Sequence, residues 1–428
     1  MVRRPLGETF EVLGNIDAVH GLYYLVLRIW SVVAGDSIVA LRAFSALGLG
    51  VAAAATVLFV ARYRSLKVAV AAGLVVGMLP GLTWTSVEAR GYAWAAALAI
   101  FATLALDVAE ERDTRRSWQV YGAVALLACW WHLYLVLLIV GHGITIAICR
   151  PDLRRTWLAC AGAAAAGVAP LAWLAWRQRD QVAWLDDLRY SWSIVLEKVL
   201  AGSYPDSVGD LRLPLALCLI VLAVIGLVDL GREEGRWPVL LLGVWAFLPI
   251  CAGLLSAVTD AGLVHTRYIG FAAPAIALLA TLGAARLGRP VALGVALAGF
   301  VVAVPLLVAQ RADDARPHDL RAVATSAGLA HPDAVLFTAP AARTVAYAYP
   351  RPFLEAEDLS AVRHPAPDPF FDKTRDPRTL APYDVAGRRI VVIGTREVPD
   401  APALRTLGCL PQHLHRDRGY QVWLYLCP

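Results

Sequence analysis

Lysine is nearly missing from this chain: it stands only at Lys67, Lys198 and Lys373, so almost all of the 39 basic residues are arginine. With abundant alanine, this reads as the codon bias of a GC-rich bacterial genome and carries no functional signal. A glycine fingerprint for nucleotides is missing too, since Ile393-Gly394-Thr395 alone lacks the repeated glycines of a phosphate-cradling turn. No internal repeat is found, and ionisable groups collect at the ends of apolar runs, which argues against a transporter built from inverted halves. Cys409, His413 and His415 offer a thiolate and two imidazoles, but no fourth ligand follows at a zinc-binding spacing. Met1 to Ile16 contains neither a hydrophobic helix nor a signal peptide.

What the chain has in excess is apolar length. Hydrophobic residues make up 58% of its 428 positions and the mean hydropathy is +0.58, far above the needs of a soluble domain. Runs near the length of about 20 residues that crosses a bilayer lie at Ile38–Ala61, Val68–Thr85, Tyr92–Val108, Trp157–Trp176, Leu213–Leu230, Val239–Val258, Tyr268–Ala285 and Val291–Ala309. The stretch from Ser117 to Cys149 is flanked at both ends by arginines, at Arg112, Arg115 and Arg116 and at Arg150, Arg154 and Arg155. The positive-inside rule places both clusters in the cytoplasm, which requires a hairpin of two short arms turning at His132. The net charge of +5 sits mainly in such loops and implies no nucleic-acid partner.

Alternation from the Arg62/Arg64/Lys67 loop exports the segment through Asp36, the Ser86–Gly91 loop, the His132 turn, the Arg177–Arg212 loop, the Thr259–Arg267 loop and everything after Gln310. The expected fold class is a polytopic α-helical membrane protein of about ten transmembrane helices in the plasma (inner) membrane. Residues 1–36 form a partial first extracytoplasmic loop with an amphipathic helix, 37–309 the membrane domain, and 310–428 a small extracytoplasmic α/β domain. Strands are expected at Ala334–Thr338, Arg389–Gly394 and Tyr420–Leu426. An exported N-terminus normally follows a hydrophobic helix, so the expectation is that one helix and part of the first outer loop precede Met1. In an exported domain Cys409 and Cys427 form a disulfide; the five other cysteines, in or beside spans, read as small packing residues.

The candidate chemistry lies on the exported side. Asp17 and His20, three apart, share a helix face and can orient a polar substrate, or Asp17 caps an interfacial helix beginning there. Glu88 and Arg90 stand where a span emerges; the arginine suits an anionic headgroup or phosphate, and the two also suit a local ion pair. His132 occupies the hairpin turn beside Tyr134. Asp186 and Asp187, among Trp184, Arg189, Tyr190 and Trp192, read as an interfacial helix more than a catalytic pair. His265, Arg267 and Tyr268 open a late span with positive charge on the wrong side for the general bias, which suits phosphate binding or a snorkelling arginine.

Taken in order, Asp17-Ala18-Val19-His20-Gly21-Leu22-Tyr23-Tyr24-Leu25, Leu41-Arg42-Ala43-Phe44-Ser45-Ala46-Leu47, Glu88-Ala89-Arg90-Gly91-Tyr92-Ala93 and Arg267-Tyr268 resemble the GT-C membrane glycosyltransferases. The resemblance is nearest to the family 39-like, protein mannosyltransferase-type enzymes of actinobacteria. It implies transfer of a sugar, mannose first, from a polyprenyl-phosphate donor to a glycan, lipid or protein acceptor at the outer face. It also implies inversion, no nucleotide sugar, and no fixed cofactor, a divalent metal being left open. On this sequence Asp17 is the available carboxylate of the first outer loop and His20 matches the family's His after it, both expected in catalysis; Arg90, Arg267, His265 and Tyr268 are the candidates for the donor phosphate, and Tyr24, Glu88 and His132 those for substrate. The chain departs from it at His20-Gly21-Leu22, where many members read His-Pro-Pro, and lacks their earlier acidic motif, without which Asp17 would assist a base and not be one. The readings from other classes are a lipid-linked-sugar flippase and a non-catalytic envelope-assembly protein.

Overall fold

The computed structural model describes residues 2–187, 191–202, 211–259, 264–311, 315, 319–361, 375–396, 398, 400–416 and 419–428. Two compact units result, one of residues 1–5 and 17–310, the other of residues 6–16 and 311–428. The short helix α1 (Leu6–Asn15) belongs to the second unit.

The first unit is helical. After one 3-10 turn, α2 (Gly21–Ala34) is a short apolar helix. Ser37 then caps α3 (Ile38–Val60) by accepting from the Ala40 amide, and 23 residues carry it about 35 Å, enough to cross a bilayer. The Val68–Thr85 run is not one straight span. It divides into α4 (Leu66–Met78) and α5 (Pro80–Ser86), bent by 56°. Pro80 is the cause: its ring excludes the helical conformation at Leu79, whose ψ is 120°, and it donates no amide hydrogen.

Helix α6 (Tyr92–Arg112) ends on Asp113 in the left-handed region at φ 43°, and a Thr114/Ser117 capping box starts α7 (Arg115–Trp131) at once. The chain turns at His132, and α8 (Val136–Cys149) runs back, giving the expected hairpin of two short arms. His142, passed over in the sequence, lies buried inside α8, between the Thr103 hydroxyl at 3.3 Å and the Tyr121 hydroxyl at 3.2 Å. The remaining long helices are α9 (Arg154–Arg177), α11 (Arg212–Glu233), α12 (Arg236–Val258) and α14 (Arg289–Ala309), with shorter α10 (Trp192–Leu200) and α13 (Ala273–Arg286) between them.

Six described helices are long and apolar enough to cross a membrane, or seven with the bent pair α4–α5. The expected spans at α7, α8 and α13 are helical but have 17, 14 and 14 residues. Helices α11 and α13 meet backbone to backbone. A Cβ on Gly226 would stand 2.0 Å from the Leu279 carbonyl oxygen, and one on Gly283 2.0 Å from that of Leu222. Only glycine allows this approach, the usual device of apolar helix pairs that gain nothing from expelling water.

At the end of α6 away from Tyr92, buried carboxylates are neutralised in place. Asp107 binds Arg62 at 2.5 Å and accepts from Trp237 at 2.9 Å; Asp229 binds Arg286 at 2.9 Å and Arg64 at 3.4 Å. Burying a carboxylate is costly unless it is paired and hydrogen-bonded in this way.

The second unit is built on a five-stranded sheet, order β2-β1-β3-β5-β4. Strands β1 (Ala334–Phe337), β2 (Glu357–Asp358) and β3 (Arg389–Thr395) are parallel, whereas β4 (Leu410–Arg416) and β5 (Tyr420–Leu426) form an antiparallel ladder beside β3. Helix α15 (Leu320–Leu329) covers one face, burying Val323 and Ala327 against Val335, Val391 and Val422. Ile390, Val392 and Tyr425 pack on the other. Cys409 and Cys427 are joined by a disulfide across the β4–β5 edge.

A candidate active site around Asp17

Asp17 sits at the head of the helical unit with φ 60°, a left-handed conformation that a non-glycine residue adopts only when its surroundings hold it there. Two glutamines do so. The Asp17 amide donates to the Gln181 side-chain oxygen at 2.8 Å, and the Ala18 amide to that of Gln178 at 3.0 Å. Asp17 precedes a 3-10 turn but its carboxylate makes no capping bond, so the reading of it as a helix cap fails.

The carboxylate turns inward instead. It accepts a hydrogen bond from the Tyr24 hydroxyl, lies 3.5 Å from an Arg90 nitrogen, and lies 3.8 Å from His20 Nε2. Arg90 also donates to the Tyr24 hydroxyl at 2.8 Å, so carboxylate, phenol and guanidinium form one closed set. Its backbone is fixed from two sides. The Ser45 hydroxyl donates to the Arg90 carbonyl at 2.9 Å, and the Trp131 indole to the Gly91 carbonyl at 2.9 Å. Ser45 is held in turn by the Tyr23 hydroxyl at 3.1 Å, which gives the Tyr23-Tyr24 pair two different tasks.

Burial raises the Asp17 carboxyl above its usual range, against the opposing pull of Arg90 and Tyr24. The same burial, with the Arg90 and Arg267 charges, holds His20 well below the ordinary imidazole value and hence neutral. The Asp17 side chain is 14% exposed but that of Arg90 is 39% exposed, so the guanidinium can meet an arriving anion while the carboxylate stays sheltered.

An aromatic wall links this set to the residues of the late loop. Tyr92 meets His20 edge-on at 6.1 Å and His132 at 5.8 Å, and lies 6.3 Å from Tyr268. His132 Nε2 donates to the Tyr268 carbonyl at 2.8 Å, pinning the hairpin turn to that loop, and Tyr134 packs on Tyr268 at 5.2 Å. The Arg267 side chain donates through Nε to His265 Nδ1 at 3.2 Å. Burial, then the nearby Arg267 and Lys198 charges, lowers His265 to about 3, so it accepts this bond as a neutral ring and orients the guanidinium. Burial and the charges of Arg212 and Arg267 lower Lys198. Arg212 also lies 3.6 Å from Glu197.

Of the residues singled out in the sequence, Asp17, His20, Tyr24 and Arg90 are in direct contact, and His132, His265, Arg267 and Tyr268 join them through Tyr92. Glu88 accepts the Arg90 amide through its backbone carbonyl at 2.8 Å. Asp186 and Asp187 end a 3-10 segment, Arg179–Asp187, while Arg189 and Tyr190 lie outside the described residues. Gln178, Gln181, Lys198 and Arg212 were missed. Only Lys198 left a signal, as a rare lysine in a loop that the charge pattern reads as exported. Among the described residues no three His, Cys, Asp or Glu gather as metal ligands.

No protein-family model and no curated protein matches the chain. Its fold is similar to that of ArnT from Cupriavidus metallidurans. The apo crystal structure aligns with a TM-score of 0.59 at 12% identity, over 94% of this chain and 87% of that one. The structure of the same protein bound to undecaprenyl phosphate aligns at 0.57 and 14% identity, with the same coverage. At that identity the likeness is one of architecture, and the chain is accordingly a multi-pass membrane protein of the GT-C fold.

Proposed function

We propose that this chain is a membrane glycosyltransferase that moves a sugar, mannose first, from a polyprenyl-phosphate carrier to an acceptor of the cell envelope at the outer face of the plasma membrane. The observation that carries the reading is the closed Asp17–Tyr24–Arg90 set, next to the cations Arg267 and Lys198. The fold shared with a protein crystallised with undecaprenyl phosphate supports the choice of a lipid phosphate as the anion.

The chemistry follows from the placement. A glycosyl transfer needs a base for the acceptor hydroxyl and a counter-charge for the departing phosphate. The family pattern would make Asp17 a helper; we read it as the base itself because it is the carboxylate of the closed set. It takes the hydroxyl proton, burial having raised its basicity while Tyr24 and Arg90 hold it ionised until the acceptor arrives. Arg90 and Arg267 meet the phosphate, His265 keeping the Arg267 guanidinium in place. Tyr92, Tyr134 and Tyr268 give the sugar aromatic faces, and neutral His20 and His132 brace that wall. The disulfide of the second unit supports an oxidising compartment, and therefore export, for residues 311–428.

The broken span α4–α5 favours a transporter, since transporters bind cargo at interrupted helices. The polar set lies instead at helix ends, where Asp17, Arg90 and Arg267 all precede or follow a helix. The discriminating experiment supplies purified protein in proteoliposomes with polyprenyl-phosphate mannose and envelope acceptors. Release of free polyprenyl phosphate with labelled acceptor is expected; movement of intact donor between leaflets without release would replace the enzyme by a flippase.

A further inference from the structure

Far from Asp17, at the other end of α6, apolar side chains recur at Phe101, Leu104 and Val108, the spacing that aligns them on one helical face. On α7 the same spacing aligns Val120 and Val124, and the two stripes wall a groove of about 580 Å³. Arg112 continues the α6 stripe one turn past Val108, and Arg116 stands in the first turn of α7, so both arginines, with Thr114 and Ser117 beside them, line the polar end of an otherwise apolar trough. The tight turn at Asp113 forces this arrangement, by delivering the end of one helix and the start of the next to the same place.

The surrounding carboxylates are already engaged. Glu111 binds Arg62 at 2.7 Å, Glu110 binds Arg150, and Asp113 accepts from the Trp118 indole at 2.9 Å. Among the described residues, the side chains of Arg112 and Arg116 make neither a hydrogen bond nor an ion pair, and Arg112 acts on Glu111 only at longer range. The first turn of α7 adds the partial positive charge of a helix N-terminus. Two exposed guanidiniums over an apolar trough fit a molecule with one anionic phosphodiester and a long hydrocarbon tail. A free phosphate has no use for the trough, and a neutral chain has none for the arginines.

We propose that the α6–α7 groove is a binding site for an anionic phospholipid, with an acyl chain along Leu104, Val108 and Val120 and the headgroup phosphate on Arg112 and Arg116. The site is independent of the glycosyltransferase reading and of every residue placed around Asp17.

Native mass spectrometry of the detergent-purified full chain, titrated with phosphatidylglycerol and with phosphatidylcholine of identical chains, tests it. Each basic residue at a membrane surface contributes about fivefold in affinity for an anionic lipid, so R112Q/R116Q should weaken phosphatidylglycerol binding by about 25-fold, to the level of phosphatidylcholine. V120W should weaken both lipids by filling the trough. The control R232Q/R289Q removes exposed arginines at other helix ends and should change neither. Equal wild-type affinities for the two lipids, or an equal loss in the control, would overturn the site in favour of general attraction to a basic surface. All three variants alter exposed side chains, and an unshifted melting temperature confirms that each is folded.

Discussion

The Tyr24 hydroxyl donates to the Asp17 carboxylate and accepts from Arg90 at 2.8 Å, so one phenol connects the candidate base to the candidate phosphate ligand. Tyr24 lies seven residues after Asp17 and Arg90 enters from another helix end, which makes the set a product of tertiary folding as much as of local sequence.

Removing that hydroxyl has a predictable sign. Tyr24 stabilises the ionised carboxylate, so Y24F should raise the Asp17 pKa further above the ordinary carboxyl range. A base works only when deprotonated, so the acid limb of the kcat/KM profile should move to higher pH while the alkaline limb stays. An unmoved acid limb would detach Tyr24 from the base.

Arg267 is held by His265 at 3.2 Å and is the proposed contact to the donor phosphate. R267A should raise KM for polyprenyl-phosphate mannose by about tenfold or more, the worth of one charge-assisted contact to a phosphate. H265A should give a smaller change of the same kind, because it frees the guanidinium without removing it. Unchanged donor affinity in R267A would contradict the phosphate role.

The α11–α13 contact tolerates no side chain at its closest points. G226A forces apart backbones that leave a Cβ 2.0 Å from the Leu279 carbonyl, and should destabilise the protein by at least about 1–3 kcal/mol. G162A, where nothing lies within 4 Å, should leave the melting temperature in detergent the same or slightly higher. Equal behaviour of the two variants would refute the close packing.

The proposed export of the second unit predicts that Cys409 and Cys427 are a stable pair in living cells. Alkylation of acid-quenched cells should leave both unmodified until a reductant is added, after which both react. Their immediate modification would place that unit in a reducing compartment.

The sequence was most legible where one physical rule governs a whole element. Apolar length marked the long helices, charge at both ends of Ser117–Cys149 marked the hairpin at His132, and β-branched runs marked β1, β3 and β5. Strand β4 was hidden because an exposed edge strand needs no apolar alternation: Leu410–Arg416 contains Pro411 and two histidines, and was weighed for metal binding instead. The two-residue β2 has too few positions to show any period. Within the candidate site, charged residues at helix ends announced themselves, whereas Gln178 and Gln181 did not. Their part is to accept the Asp17 and Ala18 amides from more than 150 positions away, and no local pattern records such a bond. Pro80 was visible, yet its 56° bend was read through because the apolar run continues across it unbroken.

The central claim is that Asp17 is the base of a glycosyl transfer, and the most direct measurement is single-turnover transfer from labelled polyprenyl-phosphate mannose by reconstituted wild type and D17N. Asparagine keeps the size of the side chain and removes its proton-accepting charge, so the rate should fall by about 10²- to 10⁴-fold with donor affinity nearly unchanged. Transfer by D17N at the wild-type rate would contradict the account.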